Sequence, residues 1–200
     1  MRPTFDRAYY DRWYRHPRHC IATPAEIARR VTLVLGVAEL VVGRGVRHVL
    51  DVGCGEALWR APLMARRPGL TYEGVDSSAY VVSRFGRRRG IRLGTFGTFG
   101  AMKLRKQYDV ILCTDVLHYV AAGEVRAGLA QVAARLGGVA YLPVATSSDD
   151  VEGDVRSLTR RPPAWYRAQF RDAGLAPVGL ECYVGRDQLD GLAALERCPD

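Results

Sequence analysis

The sequence has no apolar stretch long enough to cross a bilayer. Its most apolar segment, VTLVLGVAELVV at residues 31–42, is too short for a membrane span and carries Glu39. The N-terminal residues MRPTFDRAYYDRWYR contain no apolar core, which is not the pattern of a secretory signal. We therefore expect a cytoplasmic protein that does not bind membranes.

The cysteines show no pairing pattern. No two of them have the spacing of a metal-binding or redox motif, so we expect free thiols in a reducing compartment. His16 and His19 lie beside Cys20, but Pro17 and Arg18 stand between them, and we predict no metal site there. The five cysteines are Cys20, Cys54, Cys113, Cys182 and Cys198.

Lysine is almost absent, although the formal net charge is +8. Lys103 and Lys106 are the only lysines, and an Arg-, Ala-, Gly- and Val-rich chain has the coding bias of a GC-rich genome. The densest basic run, RFGRRRG at residues 84–90, falls at a predicted helix end, where the helix dipole favours cations. A basic surface can bind nucleic acid, but we predict no specific recognition, only weak affinity that collapses with salt.

Short apolar segments alternate with amphipathic ones along the chain, which predicts a parallel, doubly wound α/β sheet with helices on both faces. The length of 200 residues is typical of one domain, residues 1–200, with an N-terminal helical lid segment at 1–45 and a core at 46–200. Thr23-Pro24-Ala25-Glu26 is a capping box that begins the first long helix, and Gly137-Gly138 should close the helix before them. The predicted helices span 24–43, 56–67, 77–88, 125–136 and 162–175, and the predicted strands span 47–52, 71–76, 91–96, 108–114, 139–145 and 177–184, with 191–198 as a candidate seventh.

The segment VLDVGCGEALWR, residues 49–60, places two glycines directly after the first strand of the predicted sheet. Ligands of such sheets bind beyond the carboxyl ends of the strands, and glycines let the backbone turn tightly against a ligand. Asp76 ends the second strand, 21 residues after Gly55, where a carboxylate can accept hydrogen bonds from ribose hydroxyls. The alternative is that Asp76 or Ser77 caps the following helix.

Two features disfavour a nicotinamide-dependent oxidoreductase. Asp51 stands one residue before the turn, where a carboxylate would repel a pyrophosphate but tolerate an amine and a sulfonium. Leu58 occupies the place of the third glycine of the dinucleotide fingerprint. The sequence therefore indicates a nucleoside cofactor without a pyrophosphate.

With these residues in view, the sequence resembles the class I S-adenosylmethionine-dependent methyltransferases. VLDVGCGEA is similar to their first motif, YEGVDSS to their second, and YDVILCTDVLHYV to the region around their fourth strand. The opening FDRAYYDRWYRHP resembles the N-terminal segment of a bacterial, small-molecule subset. The resemblance is good from the N-terminus to about residue 145 and loose after it. It implies a Rossmann-like, mostly parallel seven-stranded sheet.

The resemblance also implies a cofactor, S-adenosyl-L-methionine, with S-adenosyl-L-homocysteine as product. Ala57 stands where the family motif usually has its third glycine, and Gly97, Thr98 and Phe99 stand where an acid often meets the adenine. The residues expected to bind the cofactor are Asp51, Gly53, Cys54, Gly55, Asp76, Ser77, Thr98, Phe99, Thr114, Asp115, Tyr10 and Tyr14.

Methyl transfer needs a general base only where the acceptor must lose a proton early. Asp115 and His118, with Tyr119, follow the fourth strand and are the candidates. The alternatives are that His118 packs beneath the cofactor and that Asp115 caps the short helix after it. The acidic run SSDDVEGD, residues 147–154, could bind a cation or an amine, or form a solvated loop.

We predict an enzyme that methylates a small-molecule acceptor. An RNA methyltransferase is the first alternative, although Thr114-Asp115-Val116-Leu117 replaces the Asn/Asp-Pro-Pro-aromatic motif that is usual for base amino groups. A non-catalytic module that binds S-adenosylmethionine is the second. The N-terminal aromatic residues, among them Tyr10 and Tyr14, should either close over the cofactor or simply cover the sheet.

Overall fold

The computed structural model describes residues 5–15, 22–150 and 157–192. The strands are β1 (His48–Val52), β2 (Thr71–Asp76), β3 (Ile91–Leu93), β4 (Tyr108–Leu112), β5 (Leu136–Tyr141), β6 (Leu175–Gly179) and β7 (Cys182–Gly185). The α-helices are α1 (Arg7–Tyr10, continued by a π-helical turn at Asp11–Arg15), α2 (Pro24–Val42), α3 (Arg60–Arg66), α4 (Ala79–Arg89), α5 (Ala122–Arg135) and α6 (Pro163–Asp172). Short 3₁₀ turns lie at Phe99–Ala101, Leu117–Tyr119 and Arg186–Gly191.

The seven strands form one sheet in the order β3-β2-β1-β4-β5-β7-β6. The first five strands pair in parallel, and β7 runs antiparallel to both of its neighbours. The predicted mostly parallel, doubly wound sheet is therefore confirmed. The strand order reverses between β1 and β4, which is where a doubly wound sheet opens a ligand crevice.

The alternation of side chains along the strands divides the core into two layers. Val49 and Val110 face a cluster that contains α2, α3 and α4, whereas Leu50 and Ile111 face a cluster that contains α5 and α6. All five residues of β4 are buried, as expected for a central strand covered on both faces.

The helix α2 confirms its predicted boundaries. Thr23 and Glu26 form the capping box through bonds of 3.2 Å and 2.7 Å, and Gly43 ends the helix with φ +67°. The buried face of α2, which includes Val31 and Val34, packs in the core. Within the described part of the predicted lid at 1–45, residues 5–15, 22–23 and 43–45 lie outside α2.

Several predicted boundaries were wrong, among them that of the fifth strand, which spans Leu136–Tyr141 instead of 139–145. Turns occupy the residues before Arg60, where Ala57 has φ +57°, so α3 begins four residues later than expected. The strand β3 ends at Leu93 instead of at residue 96. Gly137 and Gly138 belong to β5, and a Cβ on Gly138 would lie 2.2 Å from the Asp109 carbonyl oxygen, so this glycine allows close strand contact and does not close a helix.

The predicted single strand at 177–184 is a hairpin. Leu180 and Glu181 both have positive φ, 48° and 63°, and they turn the chain between β6 and β7. No strand follows within the described residues: Arg186–Gly191 form a 3₁₀ turn, and residues 193–198 of the candidate seventh strand lie outside the described chain.

Cys54, Cys113 and Cys182 are buried free thiols, while Cys20 and Cys198 fall outside the described residues, as do His16 and His19. In the described ranges, no three His, Cys, Asp or Glu side chains are grouped as metal ligands would be. Across those same ranges, none of the helices combines the length and apolar character needed to cross a membrane.

Candidate functional site

A cavity of about 820 Å³ opens at the carboxyl ends of β1, β2 and β4. This volume lies in the range of pockets that enclose small ligands. Most of the residues predicted to bind the cofactor line it, together with parts of α1, α2 and the segment after β4. The predicted site residues in its wall are Tyr10, Tyr14, Gly53, Cys54, Gly55, Asp76, Ser77, Thr114, Asp115 and His118.

The loop after β1 approaches other parts of the site too closely for side chains. Gly53 has φ +79°, and a Cβ there would lie 2.3 Å from Cγ2 of Val116. Gly55 has φ +52°, and its Cβ would lie 2.5 Å from the Tyr14 hydroxyl oxygen. The loop is held to β2 because the Gly53 and Cys54 N–H groups both donate to the Val75 carbonyl, at 2.7 Å and 3.2 Å.

Asp76 joins this loop to the start of α4. Its Oδ2 accepts the Gly55 N–H at 2.7 Å and its Oδ1 accepts the Ser78 N–H at 2.8 Å. Burial raises the pKa of Asp76, and backbone hydrogen bonds, including one from Ser77, oppose that rise. Three backbone donors still leave the carboxylate a lone pair for a ligand hydroxyl. The N-cap of α4 is Ser78, whose Oγ accepts the Val81 N–H at 3.2 Å, so the alternative that Asp76 or Ser77 is the N-cap was wrong.

The structure places Asp51 behind the cavity wall. The carboxyl is 1% exposed and is absent from the described lining of the cavity. Its Oδ2 accepts the Tyr72 hydroxyl at 2.7 Å, while its Oδ1 has no hydrogen-bond partner in the described chain. Burial, reinforced by the charge of Asp76, raises the pKa of Asp51 to about 7. The Asp51 carboxyl therefore does not border the described cavity, although it was predicted to bind the cofactor.

We expect Asp51→Asn to stabilise the protein more at pH 8 than at pH 5. Because the folded pKa of about 7 lies above the ordinary value of 3.8, folding favours the protonated acid, and stability falls as pH rises from about 4 through 7. Asparagine carries no such charge, so the free energy of unfolding of the variant relative to the parent should rise by roughly 2 kcal/mol between pH 5 and pH 8. Thermal unfolding of both proteins across pH measures it; an advantage independent of pH would contradict the expectation.

Asp115 faces the cavity from a left-handed backbone position, φ +56°. Its N–H donates to the Pro143 carbonyl at 3.1 Å, which fixes the turn after β4. Partial desolvation at the cavity raises the pKa of Asp115, and the charge of Arg30 opposes that rise; the residue remains exposed to solvent, which moderates the effect. The 3₁₀ turn at Leu117–Tyr119 has no side-chain cap, so Asp115 does not cap it.

His118 lies in the cavity wall as a neutral imidazole. Burial lowers the pKa of His118 to about 4, and its Nδ1 accepts the Ala145 N–H at 3.3 Å. A neutral imidazole that accepts at Nδ1 carries its proton on Nε2. His118 can therefore donate a hydrogen bond into the site, but this arrangement does not suit the predicted role of general base.

The segment expected to meet the adenine is displaced along the chain. Gly94, Thr95 and Phe96 line the cavity, whereas Phe99 is 0% exposed in the core and Thr98 uses its Oγ1 to accept the Thr95 N–H at 3.1 Å. The structure does not bring Thr98 or Phe99, both predicted to bind the cofactor, into the described cavity wall, because β3 ends at Leu93, three residues earlier than expected.

Residues 5–15 lie against the glycine loop and the start of α4. The Tyr10 ring is 3% exposed and lies 4.7 Å from the Tyr14 ring, both beside the cavity. The Ser78 hydroxyl donates to the Phe5 carbonyl at 2.5 Å, and Arg15 forms an ion pair with Glu56 in the glycine loop. The N-terminal segment is thus attached at both of its ends to elements that form the cavity.

Several lining residues were missed by sequence reasoning. Arg30 is the one cation in the described lining, and it follows Ile27 by three residues on α2, so the two share a helix face. That spacing was the sequence signal that could have placed Arg30 on the side of α2 facing the cavity. Trp59, whose ring lies 5.5 Å from that of Tyr141, gave none. In the acidic run, Asp149 accepts the Thr146 N–H and hydroxyl, each at 2.7 Å, and the described residues 147–150 stay outside the cavity lining.

A family model described as a methyltransferase domain matches residues 21–193 of the chain. The ubiquinone biosynthesis O-methyltransferases of Rickettsia canadensis and Rickettsia felis are 30% and 29% identical to the chain over 75 residues. These alignments cover 36% of this chain and 32% and 31% of the relatives, so the matched part is about a third of their length.

Solved structures share the fold at lower identity. Streptomyces venezuelae DesVI superposes with a TM-score of 0.63 at 16% identity, covering 81% of this chain and 91% of its own. The sugar N-methyltransferase KedS8 from a Streptoalloteichus species superposes with a TM-score of 0.60 at 21% identity, covering 76% of this chain and 80% of its own. Magnesium protoporphyrin IX methyltransferase from Synechocystis, solved with bound SAH, superposes with a TM-score of 0.59 at 20% identity, covering 89% of this chain and 90% of its own.

Proposed function

The chain belongs to the methyltransferase domain family, and from this premise we propose that it transfers a methyl group from S-adenosyl-L-methionine to a small-molecule acceptor. The observation that carries the proposal is the Asp76 carboxylate beside the Gly53–Gly55 loop, in a cavity at the switch point of the sheet. The structural neighbours that are sugar and magnesium protoporphyrin methyltransferases support a small acceptor. We also propose one domain in a cytoplasmic protein, since the cysteines suit a reducing compartment.

The residues of the cavity suit such a cofactor. Gly53 and Gly55 let the loop lie close to Val116 and Tyr14 at the place where the methionine portion would bind. The Asp76 carboxylate would accept hydrogen bonds from the ribose hydroxyls. The Tyr10 and Tyr14 rings can cover a sulfonium and attract it through cation–π contact. When bound, the cofactor supplies an electrophilic methyl group on a positively charged sulfur.

The residues after β4 would act on the acceptor. Asp115 can take the proton that the attacking atom loses, onto a carboxylate oxygen whose raised pKa makes it a better base than an ordinary aspartate. His118 can orient the acceptor by donating its Nε2–H, since Nδ1 is occupied by Ala145. Alignment of the acceptor with the methyl group would supply most of the catalysis.

Calorimetry with three ligands tests the proposal. We expect binding of S-adenosylmethionine and S-adenosylhomocysteine and no binding of NAD. Binding of NAD without S-adenosylmethionine would overturn the assignment. Turnover on a panel of small acceptors then separates an enzyme from a non-catalytic module, and turnover on RNA alone would favour the nucleic-acid alternative.

Asp76→Ala should weaken S-adenosylhomocysteine binding by about 5- to 150-fold, the cost of about 1–3 kcal/mol for hydrogen bonds left unmade. The matched control is Ser78→Ala, which removes the helix cap and the Phe5 contact but keeps the carboxylate. We expect that control to lower the melting temperature and to change affinity much less. Equal affinity losses in the two variants would show that Asp76 acts only through the fold.

A further inference from the structure

The whole net charge of the chain resides in one segment. Eight of the 29 basic residues lie between Asp76 and Asp109, where the sequence has no acid, so the other 21 basic residues balance the 21 acidic ones. We call these eight the β3-edge cluster because β3 is the terminal strand of the sheet. They are Arg84, Arg87, Arg88, Arg89, Arg92, Lys103, Arg105 and Lys106.

The topology places most of this cluster at the end of the sheet opposite the cavity. The helix α4 starts after the carboxyl end of β2 and returns to the start of β3, so Arg87 and Arg88 lie in its last turn, away from its cavity end. Arg89 is the exception, because its guanidinium donates to the Glu56 carbonyl in the glycine loop. Lys103 to Lys106 precede β4 and approach its amino end. None of the eight belongs to the described lining of the cavity, whose only cation is Arg30.

Contacts across β2 and β3 make the cluster continuous. Arg92 of β3 donates to Glu73 of β2 at 2.9 Å and to the Lys103 carbonyl at 2.7 Å, and Arg105 lies 3.9 Å from the same Glu73. The next strand residue on the other face, Ile91, packs with α4. The cluster therefore wraps around the edge of the sheet, with one acid, Glu73, among its contacts.

Most of the cluster has no acid to neutralise it. Arg87, Arg88, Lys103 and Lys106 are exposed and form no ion pair in the part of the chain that the structure describes. The helix dipole accounts for cations in the last turn of α4, but not for Arg92 or for the three cations before β4, which lie outside any helix. Coding bias toward arginine does not account for both lysines lying here.

We infer that the β3-edge cluster binds the phosphodiester backbone of nucleic acid without reading its sequence. Arginine and lysine side chains with no interspersed acid suit repeated phosphates. A protein partner is disfavoured because protein interfaces centre on apolar and aromatic groups, and Leu93 is the large apolar residue exposed near this edge. A bilayer is disfavoured because the apolar face of α4, with Val81 and Phe85, is buried. Bound nucleic acid would leave the cavity open.

Fluorescence anisotropy with a short labelled single-stranded RNA tests the inference. The four-site variant Arg87→Gln, Arg88→Gln, Lys103→Gln, Lys106→Gln should bind at least about tenfold more weakly than the parent protein at about 50 mM salt. Raising the salt to about 200 mM should remove most of the parent protein's binding and flatten the difference. RNAs of different sequence should bind alike.

The matched control changes the same net charge elsewhere, with Arg29→Gln, Arg126→Gln, Arg167→Gln and Arg186→Gln at four exposed positions. We expect that control to bind within about threefold of the parent. Equal losses in both variants, salt-independent binding, equal competition by polyglutamate, or tighter binding to anionic phospholipid vesicles would each overturn the inference. Circular dichroism confirms that both variants fold, and the salt dependence of the parent tests the inference without any variant.

Discussion

Gly53→Ala should abolish measurable cofactor binding and lower the melting temperature. The added Cβ would meet Val116 at 2.3 Å from Cγ2, 3.1 Å from Cγ1 and 3.2 Å from Cβ, so rotating one methyl group away does not relieve the contact. The loop or the segment after β4 must move, and both form the cavity. Overpacking of this kind costs roughly 1–3 kcal/mol, and the left-handed backbone adds about 1–2 kcal/mol.

Gly69→Ala is the matched control for Gly53→Ala. Gly69 has a similarly positive φ, +88°, but an added Cβ would have nothing within 4 Å. The difference between the two variants therefore isolates the close approach to Val116 from backbone strain. Calorimetry and thermal unfolding of both, with the double variant Gly53→Ala/Val116→Ala, measure the coupling. Equal effects of the two glycine substitutions, or no partial rescue in the double variant, would contradict this account.

Removing residues 1–19 should leave a folded core that binds S-adenosylmethionine at least about tenfold more weakly and has no methyl transfer activity. The aromatic rings of residues 5–15 line the cavity, and covering a sulfonium is worth about 0.5–2 kcal/mol per ring contact. Because Tyr10 is buried, the melting temperature should also fall. Affinity and melting, measured together, separate a lid from simple packing. A destabilised protein with unchanged cofactor affinity would refute the lid.

A pair of point variants tests the same lid without removing the rings. Arg15→Gln breaks the ion pair with Glu56 of the glycine loop, so bound cofactor should dissociate faster. Arg7→Gln breaks an exposed ion pair with Asp11 in the same segment and should leave the dissociation rate unchanged. Equal rates in the two variants would show that the Arg15 contact does not hold the segment closed.

The sequence by itself determined the features that depend on neighbouring residues, such as helix ends and the turn after β1. The capping box at Thr23 and Glu26 and the apolar spacing of α2 fixed that helix to its ends, because caps and periodicity act within a few residues. The glycines after β1 and the acid at the end of β2 located the cavity, since parallel strands bring their carboxyl ends to one edge.

The tertiary structure alone decided the features that depend on distant partners. The Ala145 N–H, 27 residues from His118, donates to Nδ1 of His118 and so leaves the imidazole proton on Nε2. The Tyr72 hydroxyl donates to the Asp51 carboxyl behind the cavity wall. Leu180 and Glu181 turn the last hairpin although neither is a glycine, because packing of β7 between β5 and β6 outweighs their intrinsic preference. Local propensity encodes where elements begin, but long-range contacts choose which buried groups meet, and those contacts set the protonation of this site.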